Sequence, residues 1–495
     1  MTAIDPNPRT DLGAKAANAV LWNYTSFASG KVLVLVTLAV LARLLTPAEF
    51  GIVGFATLAI AYLAVLKDLG LGGALIQRQD DTEEAAQTVY TLNLILGAVL
   101  TVGTILAAPL VAGFFDEPLV TPILRVLSVT FLIESLGAVH LVLLARNLDF
   151  RRKLVPDLGR ALIKGSVAIT TAFLGFGVWS LVWGQLAGVV ASAILVRAVV
   201  PWRPRMEIHR KLVRPLLRFG MPLVITNIQN AIWVNLDYIV IGRMLGDAAL
   251  GVYTLAYRLP ELLIQSIWRV VAGAAFPFFS SLQSDLDLLR RGFLKSVRYS
   301  QLLVVPLALG LLITAEPAID VLFGDQWAAA VPVLRILAVF TLIASIGFNA
   351  GDVYKAVGRA DILAKLGLID LLVLAPALVM AAPHGIVAVA WTHAVVSLFD
   401  TTIRLVVARH FVQVTLHDIF RQMLPAYKAG AVLAAVAVPM LWAASGMGQL
   451  PVLAITTIAG AGAYLIALAG FAPGDLRRML GWAGLGRLMP DREAG

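Results

Sequence analysis

The sequence predicts an all-α, polytopic membrane protein of about fourteen transmembrane helices. The prediction rests on composition and spacing: 59% of the 495 residues are hydrophobic, only 14% are charged, and the mean hydropathy is +0.86. The apolar residues also fall in runs of about 20 or more, the length a helix needs to cross a bilayer. A helix satisfies its own backbone hydrogen bonds in hydrocarbon, so each run is read as one. Charge clusters and Gly/Pro turns separate them. Along the chain they lie near 17–44, 48–67, 85–114, 119–145, 155–175 and 178–201. A second set lies near 217–242, 248–280, 293–318, 328–352, 361–382 and 385–408, and a last pair near 425–444 and 451–471. Ahead of them, Met1 to Gly13 carries Asp5, Pro6, Pro8, Arg9 and Asp11 and has no apolar core with a cleavage site, so no signal peptide is expected.

Orientation follows from the cations. If alternate connections are taken as one side, 32 of the 39 Lys and Arg residues fall there, in both termini and in stretches such as 67–84, 146–164 and 197–218. Those segments are expected to face the cytoplasm, in a chain of the inner, or plasma, membrane. The formal net charge of +9 is thereby read as topology, and no nucleic-acid partner is expected.

The chain also repeats itself. Leu41-Ala42-Arg43-Leu44-Leu45 followed by Phe50-Gly51 matches Ile241-Gly242-Arg243-Met244-Leu245 followed by Leu250-Gly251. Pro122-Ile123-Leu124-Arg125-Val126-Leu127 matches Pro332-Val333-Leu334-Arg335-Ile336-Leu337. An even number of helices in each copy makes the halves parallel, related by an axis along the membrane normal. The expected organisation is a tail (1–16), a lobe of six helices (17–202), a connector (203–216), a second six-helix lobe (217–410), a linker with a C-terminal hairpin (411–471) and a tail (472–495).

Several chemistries are excluded. The absence of cysteine removes disulfides, thiolate metal sites and cysteine nucleophiles. Gly30-Lys31 is followed by Val32, so there is no phosphate loop for a nucleotide motor. Asp285-Leu286-Asp287 resembles a glycosyltransferase metal motif, but the preceding Ser284 makes it a helix start. The six histidines show no metal spacing, so neither a metal nor a cofactor is expected. The outer connections leave no room for a catalytic domain, which points to a transporter and away from an enzyme.

Ionisable groups at mid-membrane are costly and form the functional candidates. Lys31 lies about 21 Å along the first helix. In the eighth, Arg258, Glu261, Gln265 and Arg269 share one stripe beside Pro260, a candidate hinge. Asn227, Asn230 and Asp237 share a face of the seventh, His393, Ser397, Asp400 and Arg404 a face of the twelfth, and Glu134 and Asp370 stand isolated near mid-span. Internal pairing, Arg258 with Glu261 or Asp400 with Arg404, is the structural alternative. The surplus of cations in the eighth helix instead implies an anionic cargo. Lys31, Arg258 and Arg269 would then hold phosphate or acidic sugar, with Gln265, Asn227 and Asn230 on hydroxyls. Asp237, Glu261, Asp370, Glu134 and Asp400 are candidates for coupling to an ion. Arg43, Arg125, Arg243 and Arg335, at the outer ends of equivalent helices, bind head groups or form an outer gate.

The stretch Ala42-Arg43-Leu44-Leu45-Thr46-Pro47-Ala48-Glu49-Phe50-Gly51, then Asp68-Leu69-Gly70-Leu71-Gly72 leading to Ala74-Leu75-Ile76-Gln77, resembles the bacterial polysaccharide flippases of the Wzx type. So do Asp237-Tyr238-Ile239-Val240-Ile241-Gly242, Leu250-Gly251-Val252-Tyr253 and Tyr257-Arg258-Leu259-Pro260-Glu261. These flippases sit in a superfamily with multidrug/ion antiporters and the lipid II flippase. The resemblance implies two lobes around a basic cavity that alternates between faces. Its cargo would be an undecaprenyl-diphosphate-linked oligosaccharide bound for exopolysaccharide, lipopolysaccharide or O-antigen. The implied partners are that substrate, membrane lipids, a polysaccharide polymerase and a chain-length regulator. Fourteen helices fit lipid-linked-sugar flippases, and twelve would fit the drug antiporters. A multidrug/cation antiporter and a non-transporting scaffold of polysaccharide assembly are the alternative readings.

Overall fold

A computed structural model describes residues 30–265, 275, 278–283 and 285–482. Every regular element among them is helical. Packing divides the chain into two compact units, Met1–Gly251 and Val252–Gly495.

In the first unit, α1 (30–44) leads into α2 (Pro47–Lys67) through a turn that the sequence caps twice. Thr46 Oγ1 accepts from the Glu49 N–H at 3.3 Å, and the Glu49 carboxylate accepts from the Thr46 N–H at 2.7 Å. Pro47 fills the first helical position, where its missing N–H costs nothing. α2 then breaks at Leu69 and Gly70, both left-handed (φ 45° and 70°), and resumes as α3 (Leu71–Gln77). Asp68 holds the break, its carboxylate accepting from the Gly72 N–H at 3.1 Å. The motif Asp68-Leu69-Gly70-Leu71-Gly72 is thus the chemistry of a broken helix. The rest of the unit is α4 (Thr82–Phe115), α5 (Val120–Arg146), α6 (Phe150–Phe173), α7 (Val178–Val199) and α8 (Arg210–Pro260) as far as Gly251. α8 breaks at Gly246 (φ 84°), separating the expected seventh and eighth helices.

Two expectations are corrected. The stretch 67–84, read as a connection, carries α3, and the apolar helical stretch runs on as Pro47–Gln77. In 146–164, helix resumes at Phe150, five residues before the expected start. The second shift draws Arg151, Arg152 and Lys153, counted as loop residues, into a helix.

The second unit opens on the rest of α8, followed by a π-helical turn (Glu261–Gln265) and α9 (278–282). Next come α10 (Leu286–Ile313), α11 (Ala315–Phe323), α12 (Ala330–Gly347), α13 (Ala350–Ala356), α14 (Ala360–Ala381) and α15 (Ile386–Val412). The last pair is α16 (Leu416–Ala443) and α17 (Gln449–Phe471), with a short α18 (Pro473–Trp482). Asp285 caps α10 by accepting from the Leu288 N–H at 3.0 Å, as a helix start requires. Leu302 and Val305 of α10 interlock with Ala426, Leu433, Tyr464 and Leu468, which docks the final hairpin onto α10.

Among the described residues, eleven helical stretches are long and apolar enough to cross a membrane. α6 is not one of them, because Asp157, Arg160 and Lys164 lower its hydropathy. Large apolar side chains such as Leu106 and Leu110 of α4 and Ile458 and Ile466 of α17 stand exposed, as lipid-facing residues must. The protein is a multi-pass membrane protein.

Candidate functional site

The first unit gathers charge at mid-helix depth. Glu134 lies about 21 Å along the 27-residue α5, at 1.5 Å per residue. Its carboxylate accepts from Lys67 Nζ of α2 at 2.6 Å and from Arg160 Nη2 of α6 at 2.9 Å. Lys67 reaches that depth because the Asp68–Gly70 break lets α3 continue the path beyond it. Two cations meet one carboxylate here, and the Asp68 carboxylate lies within electrostatic reach of Lys67. The cluster is also accessible, with side-chain exposures of 19% for Lys67, 23% for Glu134 and 39% for Arg160. Half-desolvated guanidinium and ammonium groups of this kind are strong partners for phosphate.

Lys31 belongs to the same unit, half-buried on α1. Thr37 of α1 meets Gly165 of α6, and Leu41 and Leu45 pack with Ala168. The C-terminal ends of the two helices are level, since Glu49 just past α1 meets Gly177 just past α6. The helices therefore run parallel, and Lys31 and Arg160, each one to two turns before the Thr37–Gly165 contact, sit at similar depth. Sequence reasoning missed Lys67 and Arg160, having sorted both into connecting segments. The left-handed Gly70 behind Asp68 was the signal that a helix breaks and continues there.

The repeat is visible in the packing. Leu41 and Ala42 are buried and Arg43 and Leu44 exposed; Ile241 and Gly242 are buried and Arg243 and Met244 exposed. α2 and α8 meet through equivalent residues. A Cβ on Gly51 would overlap the Asp247 carbonyl, and one on Gly251 would overlap the Pro47 carbonyl, 200 residues from each counterpart. At the other end, a Cβ on Gly220 of α8 would overlap the Leu69 carbonyl. Only glycine permits backbones to come this close.

Asn227 and Asn230 are exposed on α8, whereas Asp237, on the same face two to three turns on, is buried. The Asp237 carboxylate accepts from the Tyr238 N–H at 2.9 Å. Arg258 and Glu261 pair at 2.7 Å, the internal bridge weighed from sequence, yet Arg258 remains 44% exposed. α8 ends at Pro260, where the π-helical turn begins. Asp400 and Arg404 also pair, at 2.6 Å. Asp370 is buried on α14, 210 residues on from Arg160. His393 is buried with its ring against Phe340, centroids 5.5 Å apart. Glu134, expected to stand isolated, is held by two cations. Arg269 and the side chain of Gln265 lie outside the described residues. At the helix ends, Arg43, Arg125, Arg243 and Arg335 are all exposed. Arg243 rides over the Phe114 ring at 5.8 Å, Arg125 donates to the Ile105 carbonyl at 3.4 Å, and Arg335 approaches Glu316 at 3.6 Å. No group of three or more metal-ligating side chains occurs among the described residues.

A family model described as polysaccharide biosynthesis protein matches residues 40–332. The teichuronic acid biosynthesis protein TuaB of Bacillus subtilis is 29% identical over 465 residues, 93% of this chain and 96% of that one. The succinoglycan biosynthesis transport protein ExoT of Rhizobium meliloti is 33% identical over 307 residues, 61% of each chain. Among solved structures, the lipid II flippase MurJ in an inward closed conformation superposes with a TM-score of 0.75 at 14% identity. That superposition covers 92% of this chain and 99% of MurJ, and at such identity the likeness is one of fold.

Proposed function

Because the chain belongs to the polysaccharide biosynthesis protein family, we propose that it is a flippase for lipid-linked oligosaccharides. It moves undecaprenyl-diphosphate-linked repeat units from the cytoplasmic to the periplasmic leaflet by alternating access, for surface polysaccharide. It performs no covalent chemistry. The observation that carries the reading is the Lys67–Glu134–Arg160 cluster, which sets two partly accessible cations at mid-helix depth.

The physical need is plain. A diphosphate bearing sugars cannot enter hydrocarbon, because its charges and hydroxyls would lose their hydration. The protein supplies a wet, cationic path for the head group while the polyprenyl tail stays in lipid. Lys67, Arg160 and Lys31 serve the phosphates, and Arg258 and Arg269 are the further cations proposed for the same cargo. Asn227, Asn230 and Gln265 meet sugar hydroxyls. Glu134 acts as the counter-ion that the cargo displaces, in place of the coupling role read from sequence. Asp237, Glu261, Asp370 and Asp400 are the carboxylates left for coupling to an ion. With the cytoplasm negative, outward movement of the head group is favoured by about 2.3 kcal/mol per charge per 100 mV.

In this account the chain crosses the inner membrane fourteen times, with both termini cytoplasmic. The lobes read from the sequence are the six-helix stretches 17–202 and 217–410. The outer arginines bind head groups or gate the outer face, and Pro260 with its π-helical turn is the hinge. A polysaccharide polymerase and a chain-length regulator receive the product. The multidrug antiporter reading calls for a cavity dominated by carboxylates, which Lys67 and Arg160 at mid-helix depth oppose. Deleting the gene decides between them. Loss of surface polysaccharide with unchanged drug tolerance is expected; intact polysaccharide with raised drug sensitivity would overturn the flippase reading.

A further inference from the structure

We propose that the membrane-boundary end of the last hairpin carries a second anion site, a pocket for the phosphate of a lipid head group in the cytoplasmic leaflet. The pocket has a volume of about 490 Å³, and its wall includes Arg298, Asp418, Arg421, Leu424, Lys428 and Phe471. That volume lies within the roughly 300–1,000 Å³ of small-ligand sites. Arg421, Leu424 and Lys428 stand at i, i+3 and i+7 on α16, so one face of that helix presents two cations around an apolar residue.

The charges do not cancel. Asp418 is already engaged: it accepts from Arg290 Nη2 at 2.9 Å and from the Thr415 N–H at 3.0 Å. Arg298 is likewise held, by Asp475 through Nε at 2.8 Å and by Gln422 at 3.2 Å. These pairs fix α10, α16 and α18 around the pocket. Arg421 and Lys428 make no ion pair or hydrogen bond among the described residues, and both are exposed. Lys428 Nζ instead lies 6.0 Å from the Phe471 ring centroid, which aims it across the pocket mouth. Two cations without an ion pair among the described residues, beside an apolar wall where a transmembrane helix meets the interface, suit a phosphate whose chain runs back into lipid. Such basic pockets between transmembrane helices recognise anionic lipids. Two lipids share that chemistry, a glycerophospholipid of the bilayer and the polyprenyl diphosphate carrier.

The site does not depend on the flippase reading, since head-group binding is measured without transport. The full chain, purified and exchanged into phosphatidylcholine, is titrated with phosphatidylglycerol, polyprenyl diphosphate and inorganic phosphate, and bound lipid is counted by native mass spectrometry. The wild type is expected to retain one or both anionic lipids at least tenfold better than the double variant Arg421→Gln/Lys428→Gln. Arg421→Lys/Lys428→Arg, which keeps both charges, should retain them as the wild type does and guards against a folding defect. Preference for polyprenyl diphosphate identifies a carrier dock, and equal retention identifies a bilayer-lipid site. Equal retention by the double variant, or no preference of the wild type over phosphatidylcholine, overturns the proposal, as does binding of inorganic phosphate alone.

Discussion

Removing Arg160 or Lys67 separates an anion site from a structural pin. In the present geometry each cation makes one charge-assisted bond to Glu134, at 2.9 and 2.6 Å. When cargo displaces Glu134, each cation would donate to phosphate, a bond worth about 1.5–3 kcal/mol. At about 1.4 kcal/mol per factor of ten, Arg160→Ala and Lys67→Ala should each lower transport roughly 10- to 150-fold at equal protein level. Either variant leaves Glu134 with one cation, so insertion and abundance should hold. Glu134→Gln supplies the contrast. If the carboxylate only occupies cations meant for cargo, the amide frees them and substrate binds more tightly. If the three residues merely pin α2, α5 and α6, Glu134→Gln should cost as much protein as the cation variants. Surface polysaccharide in a deletion strain carrying each variant, normalised to membrane protein by immunoblot, gives the readout. Wild-type export by both alanine variants at normal abundance would refute the cationic-cluster reasoning.

Gly51→Val and Gly251→Val should each force α2 and α8 apart at a cost of about 1–3 kcal/mol. Because the chain has no cysteine, the effect can be read at Leu250→Cys, a buried position whose maleimide labelling should quicken about fivefold or more. Unchanged labelling would contradict the close approach. Arg258→Ala leaves Glu261 without its 2.7 Å partner and should stop polysaccharide export while protein level holds, with Arg258→Lys restoring part of it; normal export by the alanine variant would remove Arg258 from the cargo path. Arg298→Ala breaks its bonds to Asp475 and Gln422 and should lower stability by roughly 2–4 kcal/mol in a denaturation assay. A change under about 0.5 kcal/mol would show that α10 and α18 are held by packing alone.

The duplication was the most legible feature of the sequence, because close backbone approach restricts residue type. Gly51 and Gly251 are glycine for one reason, and the burial of Leu41–Ala42 and Ile241–Gly242 follows the same matched text. The apolar runs likewise marked nearly every long helix. The site was harder to read. Lys67 and Arg160 looked like boundary cations because charge along a chain does not reveal depth, and depth here depends on the helix break at Asp68-Leu69-Gly70. Helical spacing placed Asn227, Asn230 and Asp237 on one face, but spacing says nothing of what packs there. Asp237 is buried, while the asparagines on the same face stay exposed. The Arg258–Glu261 and Asp400–Arg404 bridges were both visible as i, i+3 and i, i+4 pairs.

On this mechanism the chain by itself moves a lipid-linked oligosaccharide across a bilayer. Purified protein in proteoliposomes, loaded with fluorescent undecaprenyl-diphosphate oligosaccharide and given a membrane potential without nucleotide, tests this directly. Reduction of the fluorophore by an impermeant quencher reports the leaflet. Potential-dependent movement to the outer leaflet, lost in the Lys67→Ala/Arg160→Ala double variant, is the predicted result. Movement no faster than in protein-free liposomes, or equally fast in the double variant, would contradict it.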